Sequence, residues 1–140
     1  MTVEAYINFD GNCREAVEFY AKVFHAEKPQ IMRYGDAPSN PDFPIPDDVK
    51  DRVIHTFLKI KGSTVMFSDV PPGMPLTEGN NISLVVGLQN KDEMKAIFNQ
   101  LKDGGKVRME LGETFWSPYY GMLTDRFGIG WQLSYDRPGT

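Results

Sequence analysis

Two side chains in this 140-residue sequence stand out as candidates for a nucleophile and a general base. Cys13 follows Asn12, a residue type that caps helices, and the positive end of a helix favours a thiolate. With no histidine placed beside it by the sequence, Cys13 reads more readily as a small residue tolerated in a first turn. His55 sits in Arg52-Val53-Ile54-His55-Thr56-Phe57, a strand-like run. An ordinary imidazole pKa suits a base near neutrality. A hydrogen-bonded sheet histidine is an equal reading, because histidines are intermediate in burial. As the sole cysteine, Cys13 excludes an intrachain disulfide and a multi-cysteine zinc site.

A second group is aromatic. Phe115, Trp116, Tyr119 and Tyr120 cluster around Ser117-Pro118, which interrupts regular strand pairing and suits the rim of a concavity. Packing and pocket lining are equally weighted for Trp116. Asp125-Arg126-Phe127-Gly128 reads as a turn in which Asp bonds nearby backbone amides and Gly takes positive φ. Asp69, ahead of Val70-Pro71, reads as a turn cap of the same kind.

The elements that must position these residues form a repeat. Asn12-Cys13-Arg14-Glu15 opens an apolar-periodic run through Val17, Phe19, Tyr20, Val23 and Phe24. Asn90-Lys91-Asp92-Glu93 opens another through Met94, Ile97, Phe98 and Leu101. Strand-like runs precede the helices at 3–9 and 82–88. Three more follow each: 30–34, 53–61 and 64–69 in the first half; 107–111, 119–124 and 131–135 in the second. The order is β-α-β-β-β twice, an α+β fold with mixed or antiparallel sheets. The expected modules are 1–70 and 77–137, joined by a linker at 71–76 and followed by a tail at 138–140, together one compact domain. A proline-rich loop at 35–50 interrupts the first.

Composition bounds the class. Apolar residues at 41% and charged residues at 24% suit a globular protein. A net charge of −4 disfavours a general nucleic-acid binder. The start of the chain lacks a basic-then-apolar leader, and no apolar run is long enough to span a bilayer, so a cytoplasmic protein without membrane partners is expected.

The runs Tyr6-Ile7-Asn8-Phe9-Asp10-Gly11-Asn12-Cys13-Arg14-Glu15-Ala16, Met66-Phe67-Ser68-Asp69 and Thr114-Phe115-Trp116-Ser117-Pro118-Tyr119-Tyr120-Gly121, continuing through Asp125-Arg126-Phe127-Gly128 to Trp131, resemble a known family. It is the PhnB-like branch, labelled 3-demethylubiquinone-9 3-methyltransferase, of the vicinal oxygen chelate (glyoxalase/bleomycin-resistance) superfamily. The resemblance covers nearly the whole chain and implies paired βαβββ modules with curved mixed or antiparallel sheets. In metal-dependent relatives, four residues of the first and last strands of each module bind a divalent ion. Counted from the helix caps and hairpin glycines, those positions fall on Ala5, Met66, Ser83 and Gln132. Their side chains are poor donors for such an ion, so no metal and no other cofactor is expected.

A metal-free concavity binding a small, mostly apolar molecule is the resulting expectation. The lining expected from the first module is Ile7, His55, Met66 and Ser68. The second is expected to contribute Ser83, Val85, Trp116 and Gln132. The alternative is an enzyme of the superfamily: a methyltransferase as the label says, or a lyase or isomerase using His55. Methyl transfer of the Rossmann type needs a Gly-rich turn in alternating βαβ units, which this sequence lacks. A dimeric scaffold is the third alternative. One helix per four strands leaves an apolar sheet face uncovered, so a homodimer is expected, with Phe115, Trp116, Tyr119, Tyr120 and Met122 as its surface.

Overall fold

The computed structural model describes residues 1–38, 40–42, 44–71 and 73–136. The expected tail at 138–140 lies outside the described residues. The chain divides into two compact units, Met1–Thr77 and Glu78–Thr140. The first contains β1 (Ala5–Phe9), α1 (Cys13–Val23), β2 (Met32–Arg33), β3 (Val53–Ile60) and β4 (Ser63–Asp69). The second contains β5 (Ser83–Leu88), α2 (Lys91–Leu101), β6 (Lys106–Gly112), β7 (Tyr120–Thr124) and β8 (Gly130–Tyr135). Each has an open, mixed four-stranded sheet, ordered β1-β4-β3-β2 and β5-β8-β7-β6. The fold class is the expected α+β arrangement of two βαβββ modules.

Within each unit the first strand pairs in parallel with the last, and the remaining pairings are antiparallel. A parallel pair requires a crossover connection, and each unit's helix supplies it. Strand β2 is shorter than the expected 30–34: the chain leaves it into a 3-10 turn at Tyr34–Asp36, where Arg33 and Asp36 pair at 2.9 Å. Among the described residues, no helix is long and apolar enough to cross a membrane.

The helical stripes bury one face of each sheet. In α1, Cys13, Ala16, Val17, Tyr20 and Val23 are buried, with Phe19 at the margin. Tyr20 stacks on Phe67, ring centroids 5.9 Å apart. In α2, Met94, Ile97, Phe98 and Leu101 are buried, and Trp131, Leu133 and Leu123 complete that unit's core. Burying each such large side chain contributes about 1.5–3 kcal/mol.

The two helix starts differ. Asn90 Oδ1 accepts from the Glu93 amide at 3.0 Å, the expected cap. Asn12 makes no side-chain cap bond. Asp69, at the end of β4, takes over that role: its Oδ1 accepts from the amides of Gly11 (2.8 Å) and Cys13 (3.0 Å). Its Oδ2 accepts from the Val53 amide at 2.9 Å. Asp69 is therefore a tie between helix and sheet rather than a local turn cap. Asp125 does act locally, accepting at Oδ1 from the amides of Phe127 and Ile129 and at Oδ2 from the Trp131 indole, 2.8 Å away.

Candidate functional site

Strand pairing decides which side chains share the face opposite each helix. In the first unit Tyr6 is opposite Met66, Asn8 opposite Ser68, and Phe57 opposite Met66. In the second, Val85 and Met122 flank Gln132, while Ser83 and Thr124 flank Gly130.

The first sheet's open face brings together three of the expected residues, His55, Met66 and Ser68. The Tyr6 hydroxyl lies 3.3 Å from His55 Nδ1, and their rings are 5.8 Å apart. Ser68 is buried, its hydroxyl donating to Asn8 Oδ1 at 3.1 Å. Tyr6, Phe57 and Met32 stand exposed around this group. Ile7 is a correction. It is opposite Phe67, on the helix-packed face, and cannot line the open one.

Its displacement has a local cause. Three residues, 10–12, connect β1 to α1, whereas two, 89–90, connect β5 to α2. Counting back from the helix caps therefore slips by one position, and a one-residue slip exchanges the faces of a strand. The extra residue is accommodated at Gly11, whose φ of +95° is open to glycine. The slip also displaces Ala5, which is opposite Val65 on the packed face. Tyr6, not Ala5 or Ile7, shares the face of Met66, and it was missed for this reason.

The second sheet's open face gathers all four residues expected from that module. Gln132 is its hub. The Tyr120 hydroxyl donates to Gln132 Oε1 at 2.5 Å, and Gln132 Nε2 donates to Ser83 Oγ at 2.7 Å. Val85 stands exposed beside them. Trp116 meets Tyr120 edge to face at 5.4 Å, and Phe115 meets Trp116 likewise at 4.9 Å. Burial raises the Tyr120 hydroxyl above its ordinary pKa, so it remains a proton donor to Gln132. The loop carrying Trp116 is closed by Thr114 and Ser117: the Ser117 amide donates to Thr114 Oγ1 at 3.0 Å. Of the five residues expected at a subunit surface, Phe115 and Trp116 are exposed. Tyr120 is buried, while Tyr119 and Met122 are half-buried.

A cavity of about 730 Å³ opens at one end of this face, lined by Ser83, Gln132, Met122, Thr124, Gly130 and Arg108, with the 78–82 segment along its edge. Arg108 and Thr124 were missed by sequence reading, because an arginine on an irregular edge strand carries no distinguishing spacing. Strands β6 and β7 change register between Val107 and Met109, and Arg108 Nε donates to Thr124 Oγ1 at 3.3 Å.

These residues do not fit a divalent cation. Met66 offers a thioether, and its neighbour Tyr6 a phenol already near His55. Ser83 and Gln132 offer neutral oxygens within the Tyr120–Gln132–Ser83 chain. Hard and borderline ions need better donors. Among the described residues, no group of three or more His, Cys, Asp or Glu is placed to hold an ion. Cys13 is equally unsuited to attack: it is buried, and burial followed by the charge of Asp69 pushes its thiol up to about 12.

The comparisons follow this architecture. The protein YjdN of Escherichia coli K12 is 33% identical over 96% of this chain and 95% of its own length. Protein PA1353 of Pseudomonas aeruginosa superposes with a TM-score of 0.85 at 33% identity, covering 98% of both chains. The PhnB protein of Bacillus cereus superposes with a TM-score of 0.73 at 26% identity, over 97% of this chain and all of that one. The family model described as 3-demethylubiquinone-9 3-methyltransferase matches residues 2–134. The chain thus belongs to that family, and it is similar over nearly its whole length to the PhnB protein within it.

Proposed function

We propose that this chain binds a small, mostly apolar molecule without a metal, on the open face of the second sheet. One observation carries the reading: the Tyr120–Gln132–Ser83 hydrogen-bond chain runs beneath exposed apolar groups and beside the Trp116 ring. A few fixed polar groups on an apolar, concave surface orient a ligand. Val85 and Met122 provide the apolar floor, and Trp116 a stacking partner at the rim. The protein acts as a homodimer in this reading, since the fully exposed Phe115, outside the ligand face, leaves an apolar surface that association would cover.

Titration with menadione, an apolar aromatic quinone, tests the proposal. Trp131 is buried and Trp116 exposed, so quenching at the wavelength of an exposed indole reports on the site. The expected result is saturable quenching with a raised melting temperature, both lost in Gln132→Leu. Absence of binding, or binding unchanged by Gln132→Leu, overturns it.

A second reading, acid–base catalysis by His55, is favoured by the Tyr6 hydroxyl at 3.3 Å from Nδ1. Such a contact fixes the ring's orientation, as a catalytic imidazole requires. Turnover of any substrate lost in His55→Gln with menadione binding intact would select this reading.

A further inference from the structure

We propose that the cavity between Ser83 and Arg108 is an anion site, taking the carboxylate or phosphoryl oxygens of a small organic acid. This rests on the binding reading above and adds the ligand's charge. Gly130 forms the floor. A Cβ there would stand 3.3 Å from the Ser83 Cβ, so the missing side chain keeps open the space between β5 and β7. Ser83 rises on one side and Thr124 on the other, both directly opposite Gly130.

The direction of each hydrogen bond sets the polarity of that space. Ser83 Oγ already accepts from Gln132 Nε2, which leaves its O–H to donate. Thr124 Oγ1 already accepts from Arg108 Nε, which likewise leaves its O–H to donate. Among the described residues Arg108 has no carboxylate partner, and as a lining residue it brings a full, unneutralised positive charge and free donors to the cavity. Lys106, directly opposite Thr124, adds a second cation to the same row. Two hydroxyls held as donors and a guanidinium match an oxyanion, which accepts only. Glu78 also lines the cavity, with its carboxylate against Gly128, and suits a hydroxyl or ammonium elsewhere on the same ligand.

Isothermal titration of the full chain with benzoate, benzyl alcohol, benzylammonium and inorganic phosphate tests the assignment. Benzoate is expected to bind at least tenfold more tightly than benzyl alcohol or benzylammonium, and phosphate is expected to compete with it. Arg108→Met removes the preference, while Arg108→Lys retains most of it. The preference falls with ionic strength, because the cation is open to solvent. Arg108 is exposed on an edge strand, so neither variant removes core packing. A preference that survives Arg108→Met, or tighter binding of benzylammonium, overturns the anion site. If menadione binds while benzoate does no better than benzyl alcohol, the anion assignment fails and the binding reading stands. If none of these probes nor menadione binds, both fail.

Discussion

Asp69 and Cys13 stand 56 positions apart in sequence, yet Oδ1 of the first accepts the backbone N–H of the second at 3.0 Å. With the bonds to Gly11 and Val53, this one buried carboxylate satisfies three amides from two segments, the β1–α1 junction and the start of β3. Asp69→Ala orphans the two buried amides, Cys13 and Val53, while exposed Gly11 can turn to water, and is expected to cost about 4 kcal/mol, given about 1–3 kcal/mol for each unsatisfied buried group. Asp69→Asn keeps one acceptor oxygen but sets an amide group among the donors, and is expected to cost about half as much. Urea unfolding measures both, and a loss under 1 kcal/mol for Asp69→Ala contradicts the tie.

Cys13 predicts a pH dependence. Its folded pKa, about 12, lies above the ordinary value of 9.0. Below pH 9 both states hold the proton and the thiol adds no pH dependence. Between pH 9 and 12 the unfolded thiol ionises first, so stability falls as pH rises, with a limiting slope of about 1.4 kcal/mol per pH unit. Cys13→Ala lacks this slope. The stability difference between wild type and Cys13→Ala should therefore shift in the variant's favour between pH 8.5 and 10.5. A difference independent of pH contradicts the burial. At pH 8 the native thiol should also react with a disulfide reagent no faster than the protein unfolds.

Metal addition is expected to leave the protein unchanged. Zinc, nickel, iron or manganese at stoichiometric concentration should shift the melting temperature by under 1 °C and leave no bound ion after desalting, since the positions supply thioether, hydroxyl and amide groups. Stoichiometric metal lost on Gln132→Leu would refute this.

Light scattering at micromolar concentration should give about 32 kDa, twice the chain's 15.9 kDa. A charge at an exposed apolar position outside the ligand face should dissociate the dimer, so Phe115→Asp is expected to move the mass towards the monomer. A stable monomer in the wild type defeats the proposal.

The sequence carried the fold through its periodicities. The α2 stripe Met94, Ile97, Phe98 and Leu101 is buried as spaced. Trp131 and Leu133 are buried while Gln132 stays half-exposed on the open face, as strand alternation demands. The open-face residues were legible where the count ran through a hairpin, as for Met66 and Gln132, because strand alternation carries through such a turn. The count through a strand-to-helix connection put Ser83 and Val85 on the open face but misplaced Ala5 and Ile7, because the first connection is one residue longer and its length follows no side-chain rule. Asp69's capping of α1 was invisible for another reason: a long-range acceptor leaves no local spacing, and Asn12 supplied a plausible decoy. The Tyr120–Gln132–Ser83 chain links three strands and has no signature along any one of them.

The parallel pairing of the first and last strands of each unit bears on how the chain acquires its structure. Ala5 meets Val65, and Ser83 meets Gly130. During synthesis β1 and α1 leave the ribosome well before β4 exists, and their apolar faces wait without a sheet to cover them. Closing so long a loop costs entropy before any contact repays it. The β3–β4 hairpin, whose strands are separated by Lys61 and Gly62, can form early and serve as the template on which β1 docks. In the second unit the β7–β8 hairpin, joined by residues 125–129, offers β5 the same local template.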